Sequence, residues 1–416
     1  MNARRRRVHD RLAAQTGVRS VRRPIVADGP DEFDLFYVRT GEKSDHPLVI
    51  IPGGPGAASV ALYRGLRKRA AADGLDVIMV EHRGVGMSRH DDEGADLPLE
   101  ALTIDAAVGD IAAVLDDADV EEAVVYGTSY GTYLASGLGV RHPGRVHAMV
   151  LDSPLLSADD IDEVRDAVRR TLWDGDDEET AGLAAKVHQL VEDGVLTPAA
   201  TQLATDMYGL GGPALLDRQL DLLLNDHDWV WGAVGLGTRQ LVERKTPYYN
   251  EPDLVGRIGY RELNYGAVPD GRPLDPAVAL REMATGDVDF VAEPYDLISA
   301  MPGFSWPTAV ISGGRDLTTP RAVACRIAEL IPDSVLIDMP TTGHSIIDTK
   351  ESSALEIVKA MYAGKMAELP GRSAELDAAP SLLSVRLVRR AIRAAAVAES
   401  AVPSVVPRAV RQITTS

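Results

Sequence analysis

The nine residues from Val124 to Thr132, reading V-V-Y-G-T-S-Y-G-T, constrain this chain more than any other stretch. An apolar run with strand character ends in G-x-S-x-G and passes directly into a helical pattern. So tight a strand-to-helix turn forces Ser129 into strained backbone geometry, and the flanking glycines make room for it. The hydroxyl then stands clear of a sheet with a helix N-terminus behind it. A serine that is to act as a nucleophile needs that placement.

The surrounding sequence supplies the sheet. Phe33 to Tyr37 alternates like an early strand. Pro47 to Ile51 and Val77 to Val80 are continuous apolar runs of the kind that lie buried on both faces, and Val146 to Leu151 is a further strand. Between them, Ser59 to Asp73 and Thr103 to Asp119 carry helical spacing, and a helix runs from the serine turn to Arg141. Strands alternating with helices predict an α/β fold, a mostly parallel eight-stranded sheet covered on both faces. After Asp152-Ser153-Pro154 the rhythm changes. Residues from about Ala158 to Ala300 read as helical and acidic, and strand-like runs resume only at Thr308 to Ile311 and Val335 to Ile337. The expected organisation is a first core part (1–156), a helical cap inserted after the sixth strand (157–302), a second core part (303–367) and a basic tail (368–416).

A serine nucleophile needs a base, and the base needs an orienting acid. In this type of fold the chain order is Ser, then Asp or Glu, then His. Asp316, in S-G-G-R-D-L-T-T-P directly after a strand, is the expected acid. His344, in T-T-G-H-S after the next strand, is the expected base. Asp338 and Asp348 are weaker competitors for the acid; Asp316 could instead cap the helix that starts near Pro320, but its post-strand position in a Gly-rich turn favours the acid role. His82 follows a strand but precedes the serine, so it fits the order badly. Loops at the C-terminal ends of parallel strands share one rim, where ligands bind, so three residues distant in sequence are expected to meet there. A tetrahedral intermediate also needs donors for its oxyanion. The backbone N–H of Tyr130 is one. Gly54, in the loop Pro52-Gly53-Gly54-Pro55-Gly56, is the other, with Gly53 as second choice. No metal and no organic cofactor is called for.

Composition narrows the partners. The formal charge of -19 argues against nucleic acid as a partner of the main body. The ends differ: residues 1–25 carry eight Arg against one Asp, and residues 381–416 carry six Arg against one Glu. Leu383 to Val397 can form a helix with Arg386, Arg389, Arg390 and Arg393 on one face. Such a helix can dock on the acidic body, form a poorly ordered tail or make weak contact with an anionic membrane surface, and the first two readings are preferred over the third. Oligomeric state is open. The single cysteine, Cys325, allows no intrachain disulfide. Arg4 to Arg7 resemble the start of a signal peptide, but no apolar segment follows, and no run is long enough to span a bilayer. A cytoplasmic location is the default expectation.

Taken together, the glycine loop, the G-x-S-x-G turn, Asp316 and His344 resemble a serine hydrolase of the α/β-hydrolase superfamily. Within it, Pro52 to Gly56 is similar to the H-G-G-P-G loop of the prolyl aminopeptidases (proline iminopeptidases), with Pro52 in place of the usual His. Glu81-His82-Arg83-Gly84-Val85-Gly86-Met87-Ser88 is similar to their D-x-R-G-x-G-x-S segment. Gly127 to Tyr133 looks closer to the related tripeptidyl aminopeptidases. The resemblance implies release of an N-terminal proline or similar residue from a short peptide, with acidic cap residues pairing the substrate ammonium. In the family one such Glu lies in a segment resembling Arg257 to Tyr265, which makes Glu262 the candidate. A second follows a W-x-x-W-E stretch, and here Trp229-Val230-Trp231-Gly232 has no Glu in that place. Trp229 and Trp231 are candidate pocket walls. Two readings stand beside this one: a carboxylesterase with the same chemistry, and a hydrolase-fold binding protein without turnover.

Overall fold

The computed structural model describes residues 1–402 apart from 243, 285, 287 and 288. Residues 403–416 of the expected basic tail therefore lie outside the described residues. Eight strands form one sheet: β1 (Val18–Pro24), β2 (Glu32–Thr40), β3 (Leu48–Ile51), β4 (Val77–Val80), β5 (Ala123–Thr128), β6 (Val146–Asp152), β7 (Thr308–Gly313) and β8 (Ser334–Met339), in the spatial order β1-β2-β4-β3-β5-β6-β7-β8. β2 runs antiparallel to both its neighbours, and from β4 onward every pairing is parallel.

The alternation of side chains along a strand builds two cores from one sheet. Val49, Ile51 and Val125 face one layer, against α3 (Ile104–Asp117), α4 (Tyr130–Arg141) and α12 (Arg321–Leu330), which supply Val108, Ile111, Leu134, Leu138 and Ile327. Leu48, Ile50, Val124 and Tyr126 face the other, against α1 (Ala3–Ala13), α2 (Arg64–Ala72) and α13 (Glu351–Tyr362), which supply Leu12, Leu66, Ala70, Ile357 and Val358. Each of the larger apolar side chains so enclosed is worth about 1.5–3 kcal/mol.

Two segments differ from the sequence expectation. β1 pairs with β2 along its own whole length although its sequence, V-R-S-V-R-R-P, is dominated by arginine. It is an edge strand, where charged side chains reach solvent freely. The helix expected from Ser59 begins only at Arg64. The N–H groups of Ser59 and Val60 donate instead to the buried carboxylate of Glu81, at 2.5 and 2.9 Å, so this segment has no need of helical bonds.

Between β6 and β7 the chain leaves the sheet and builds a helical cap. Its main helices are α5 (Asp160–Arg169), α6 (Ala181–Glu192), α7 (Thr201–Gly211), α8 (Pro213–Leu224), α9 (Trp229–Val242), α10 (Arg257–Leu263) and α11 (Pro276–Met283). α5 to α9 enclose a core of their own, with Val168, Leu172, Val187, Leu216 and Leu220 at its centre, while Ile258 and Leu263 of α10 pack into the sheet core. The C-terminal helix α14 (Leu383–Ser400) lies on this cap. Ile392 and Ala396 are buried, and the carboxylate of Glu399 receives the N–H groups of Trp229 and Val230 at the start of α9. Leu383, Leu387 and Val388 stay exposed. At the other end of the chain, Arg5 of α1 holds the fully buried Glu251 of the cap and donates to the carbonyl of Gly86. No described helix is long and apolar enough to cross a membrane.

Candidate active site

Ser129 joins β5 to α4 with φ 51° and ψ -125°, a strained conformation for a residue bearing a Cβ. Its surroundings hold it there. Its N–H donates to the carbonyl of Asp152 at 2.9 Å, and its carbonyl accepts from Thr132 Oγ1 at 2.6 Å. Both glycines of the pentapeptide are required by close approach. A Cβ on Gly127 would stand 2.5 Å from the Gly131 oxygen, and one on Gly131 would stand 2.2 Å from the Ile51 oxygen.

Asp316 and His344 come from the loops after β7 and β8. Asp316 Oδ2 lies 2.8 Å from His344 Nδ1 and accepts from Thr319 Oγ1 at 2.7 Å, while Oδ1 accepts the N–H groups of Thr318 and Thr319, both at 2.9 Å. Burial by itself would raise the Asp316 pKa. The facing His344 charge and the Thr319 hydrogen bonds outweigh it, and the carboxyl titrates below its ordinary range. For His344, burial opposes charge, but the Asp316 carboxylate, with Asp152 and Asp348 behind it, pushes the pKa up to about 9.

Of these two further acids, Asp152 was not among the expected site residues. Asp152 ends β6 and accepts from Tyr126, Thr128 and the N–H groups of Ile346 and Ile347. Asp348, weighed from sequence as a rival acid, accepts from Ser345 Oγ at 2.7 Å and Tyr63 at 3.0 Å rather than from the His344 ring. Ser345 itself has φ 56°, and its Oγ lies 2.8 Å from Thr128 Oγ1. This network ties the loop carrying His344 to the strand carrying Ser129. Its one legible signal was an Asp closing an otherwise apolar strand. Asp338, the other rival, pairs with Arg321 on the surface.

Ser129, His344 and Gly54 all line one cavity of about 600 Å³ between the sheet rim and the cap. Gly53 and Gly54 pass directly beside the serine: a Cβ on Gly53 would come 3.1 Å from Ser129 Cβ. Gly54 itself has φ 131°, a region that favours glycine. The N–H of Tyr130 is the first of α4, among those that a helix leaves without an internal partner. The cavity wall is largely apolar, with Leu155, Ile161, Val164 and Leu203, and carries Asp160 and Asp206 from the cap. Burial is the main cause holding both carboxyls above their ordinary range, Asp160 at about 7. Asp206 is close enough to His344 to feel its charge.

The three expected cap residues are elsewhere. Glu262 is buried and accepts the N–H of Ile104 at 2.9 Å, capping the start of α3. Trp229 is 53% exposed, and Trp231 packs against the cap core. None of the three is on the cavity wall among the described residues. His82 lies behind the glycine loop, where burial lowers its pKa to about 4.

Residues 46–187 match the α/β hydrolase fold family. The proline iminopeptidase of Heyndrickxia coagulans is 29% identical over 114 residues, 27% of this chain and 36% of that protein, so the match spans about a third of that relative's length. The probable proline iminopeptidase of Streptomyces coelicolor is 22% identical over 347 residues, 82% of this chain and 95% of that protein. Among solved structures, proline iminopeptidase from Mycobacterium smegmatis superposes with a TM-score of 0.50 at 19% identity, covering 84% of this chain and 99% of that one. This chain has the α/β-hydrolase fold.

Proposed function

We propose that this α/β-hydrolase-fold chain, which resembles the proline iminopeptidases, is a serine hydrolase acting through an acyl-enzyme on short peptides with a free amino end. Ser129 attacks the carbonyl carbon and His344 takes the hydroxyl proton. Asp316 holds the imidazole in the tautomer that accepts at Nε2 and stabilises the imidazolium that forms. The N–H groups of Gly54 and Tyr130 receive the oxyanion. His344 then gives its proton to the leaving amine, and a water deprotonated by the same ring releases the acyl group. The observation that carries this reading is the buried Asp316 carboxylate, 2.8 Å from the His344 ring, at a cavity that Ser129 shares.

For the amino end, Asp206 is a better candidate than Glu262, whose carboxylate is already engaged at α3. Asp206 faces the cavity with one side-chain partner among the described residues, Gln202 at 2.9 Å, and lies within electrostatic reach of His344. A substrate ammonium beside it would exchange desolvation for an ion pair. The apolar wall favours a second reading, a carboxylesterase with the same catalytic residues.

Turnover of proline p-nitroanilide against p-nitrophenyl butyrate separates the two. The peptidase reading expects arylamide turnover and, in Asp206→Asn, a KM for the arylamide raised about 10- to 100-fold, the worth of a hydrogen bond to a charged group. Ester KM should stay unchanged. Ester turnover without any aminoacyl-arylamide turnover would leave the esterase reading in its place.

A further inference from the structure

At the opposite edge of the sheet, three side chains that the proposed chemistry does not use converge. His46 lies just before β3, Glu122 just before β5 and His147 near the start of β6, three strands adjacent in the sheet. One ligand atom from each lies within 4.8 Å of the other two. At 3.3 Å per residue along β5, they stand about 20 Å from Ser129.

The local backbone is shaped to present them. The β5–β6 pairing steps from Ala123↔Val146 to Val124↔Ala148, which leaves His147 as the extra residue of a β-bulge. A bulge re-aims a side chain, and His147 is the one exposed residue of a strand otherwise buried. Its ring stacks on that of His46, centroids 3.8 Å apart and planes 9° from parallel, with Nδ1 3.4 Å from Glu122 Oε2. The main chain beside His46 is fixed from two sides: Val124 N–H donates to the Pro47 carbonyl at 3.0 Å, and the Tyr362 hydroxyl donates to the His46 carbonyl at 2.8 Å. His46 Nδ1 is buried and has no hydrogen-bond partner among the described residues.

We infer that His46, Glu122 and His147 form a binding site for a divalent transition-metal ion of the zinc class. Two imidazoles and one carboxylate suit that class, whereas Mg²⁺ and Ca²⁺ take oxygen ligands. Three protein ligands leave the fourth position to water. Nitrogens bound to a tetrahedral Zn²⁺ stand about 3.3 Å apart. The ligand atoms must therefore close by up to about 1.5 Å, which rotation of the two rings about the soft χ2 torsion provides. The nitrogen lone pairs lie in the ring planes, so the same rotations must open the parallel stack for both rings to aim at one ion. An ion here clasps three neighbouring strands at the edge remote from the catalytic rim and stabilises the folded chain by mass action.

The test uses the full-length protein, stripped with EDTA, dialysed, titrated with ZnCl₂ by calorimetry and melted with and without the salt. Wild type should bind one Zn²⁺ at this site and melt several degrees higher in its presence, and MgCl₂ should do neither. His46→Ala/His147→Ala should lose that binding and the shift, and Glu122→Gln should weaken binding about tenfold or more. A zinc ion at His344 would persist in these variants and so be told apart. Equal zinc stoichiometry and equal thermal shift in wild type and the double variant would overturn the inference, as would no zinc binding by wild type.

Discussion

Replacing Asp316 by Asn tests the proposed base more sharply than removing the base itself, because the structure fixes how the amide must sit. Two main-chain N–H groups, from Thr318 and Thr319, converge on Oδ1. An amide nitrogen cannot take that place, so it must occupy the position of Oδ2, facing His344 Nδ1 and Thr319 Oγ1. There it donates to Nδ1, and the ring proton moves to Nε2, where it blocks acceptance of the serine proton. A change of this kind costs about 10⁴ in kcat in Ser-His-Asp enzymes, or about 5.4 kcal/mol in the barrier.

The same substitution moves the pH profile, and the sign is determinate. His344 must be neutral to act as base, and its pKa is pushed up to about 9, so wild-type kcat/KM should climb through the alkaline range. Without the Asp316 charge its main raising cause is gone while burial still opposes protonation, so the midpoint should fall from about 9. Ester hydrolysis followed from neutral to alkaline pH, with a thermal melt to verify folding, reads both effects. A loss of less than about tenfold against the expected 10⁴, or an unmoved midpoint in a folded variant, would refute the assignment of Asp316 and His344.

Two substitutions probe what holds the site in place. Gly131→Ala puts a Cβ 2.2 Å from the Ile51 oxygen and 2.7 Å from the Pro52 oxygen, both backbone atoms. It should cost about 3 kcal/mol or more in denaturant unfolding, and a cost near zero would contradict the packing described. Arg5→Ala removes the closest cation from the fully buried Glu251, leaving the Gly86 N–H at 2.7 Å and Arg89 at 3.8 Å. Breaking a buried pair in this way should cost about 3 kcal/mol, and an unchanged urea midpoint would show the N-terminal helix to be dispensable.

The parts of this fold legible from sequence are those where burial writes a pattern. β3, β4 and β5 are buried on both faces and read as apolar runs, and the order of Ser129, Asp316 and His344 follows from the turns that end such strands. β1 was not legible, because an edge strand tolerates the arginines that conceal it. The first turn of α2 was misread because Glu81, a residue distant in sequence, takes the N–H groups a helix would have used. Cap residues were the least legible. Helical periodicity says which face of α7 or α9 is apolar, but not which neighbour that face meets. Nothing local distinguishes Asp206 on the cavity wall from Glu262 capping α3, or from Glu399, which comes from the far end of the chain to cap α9.

The most direct measurement is intact-mass and peptide mapping of the protein after reaction with a fluorophosphonate. The proposed mechanism predicts one phosphonyl adduct on Ser129, absent in Ser129→Ala and strongly slowed in His344→Ala. Equal labelling of Ser129→Ala, or an adduct carried by any other residue, would contradict it.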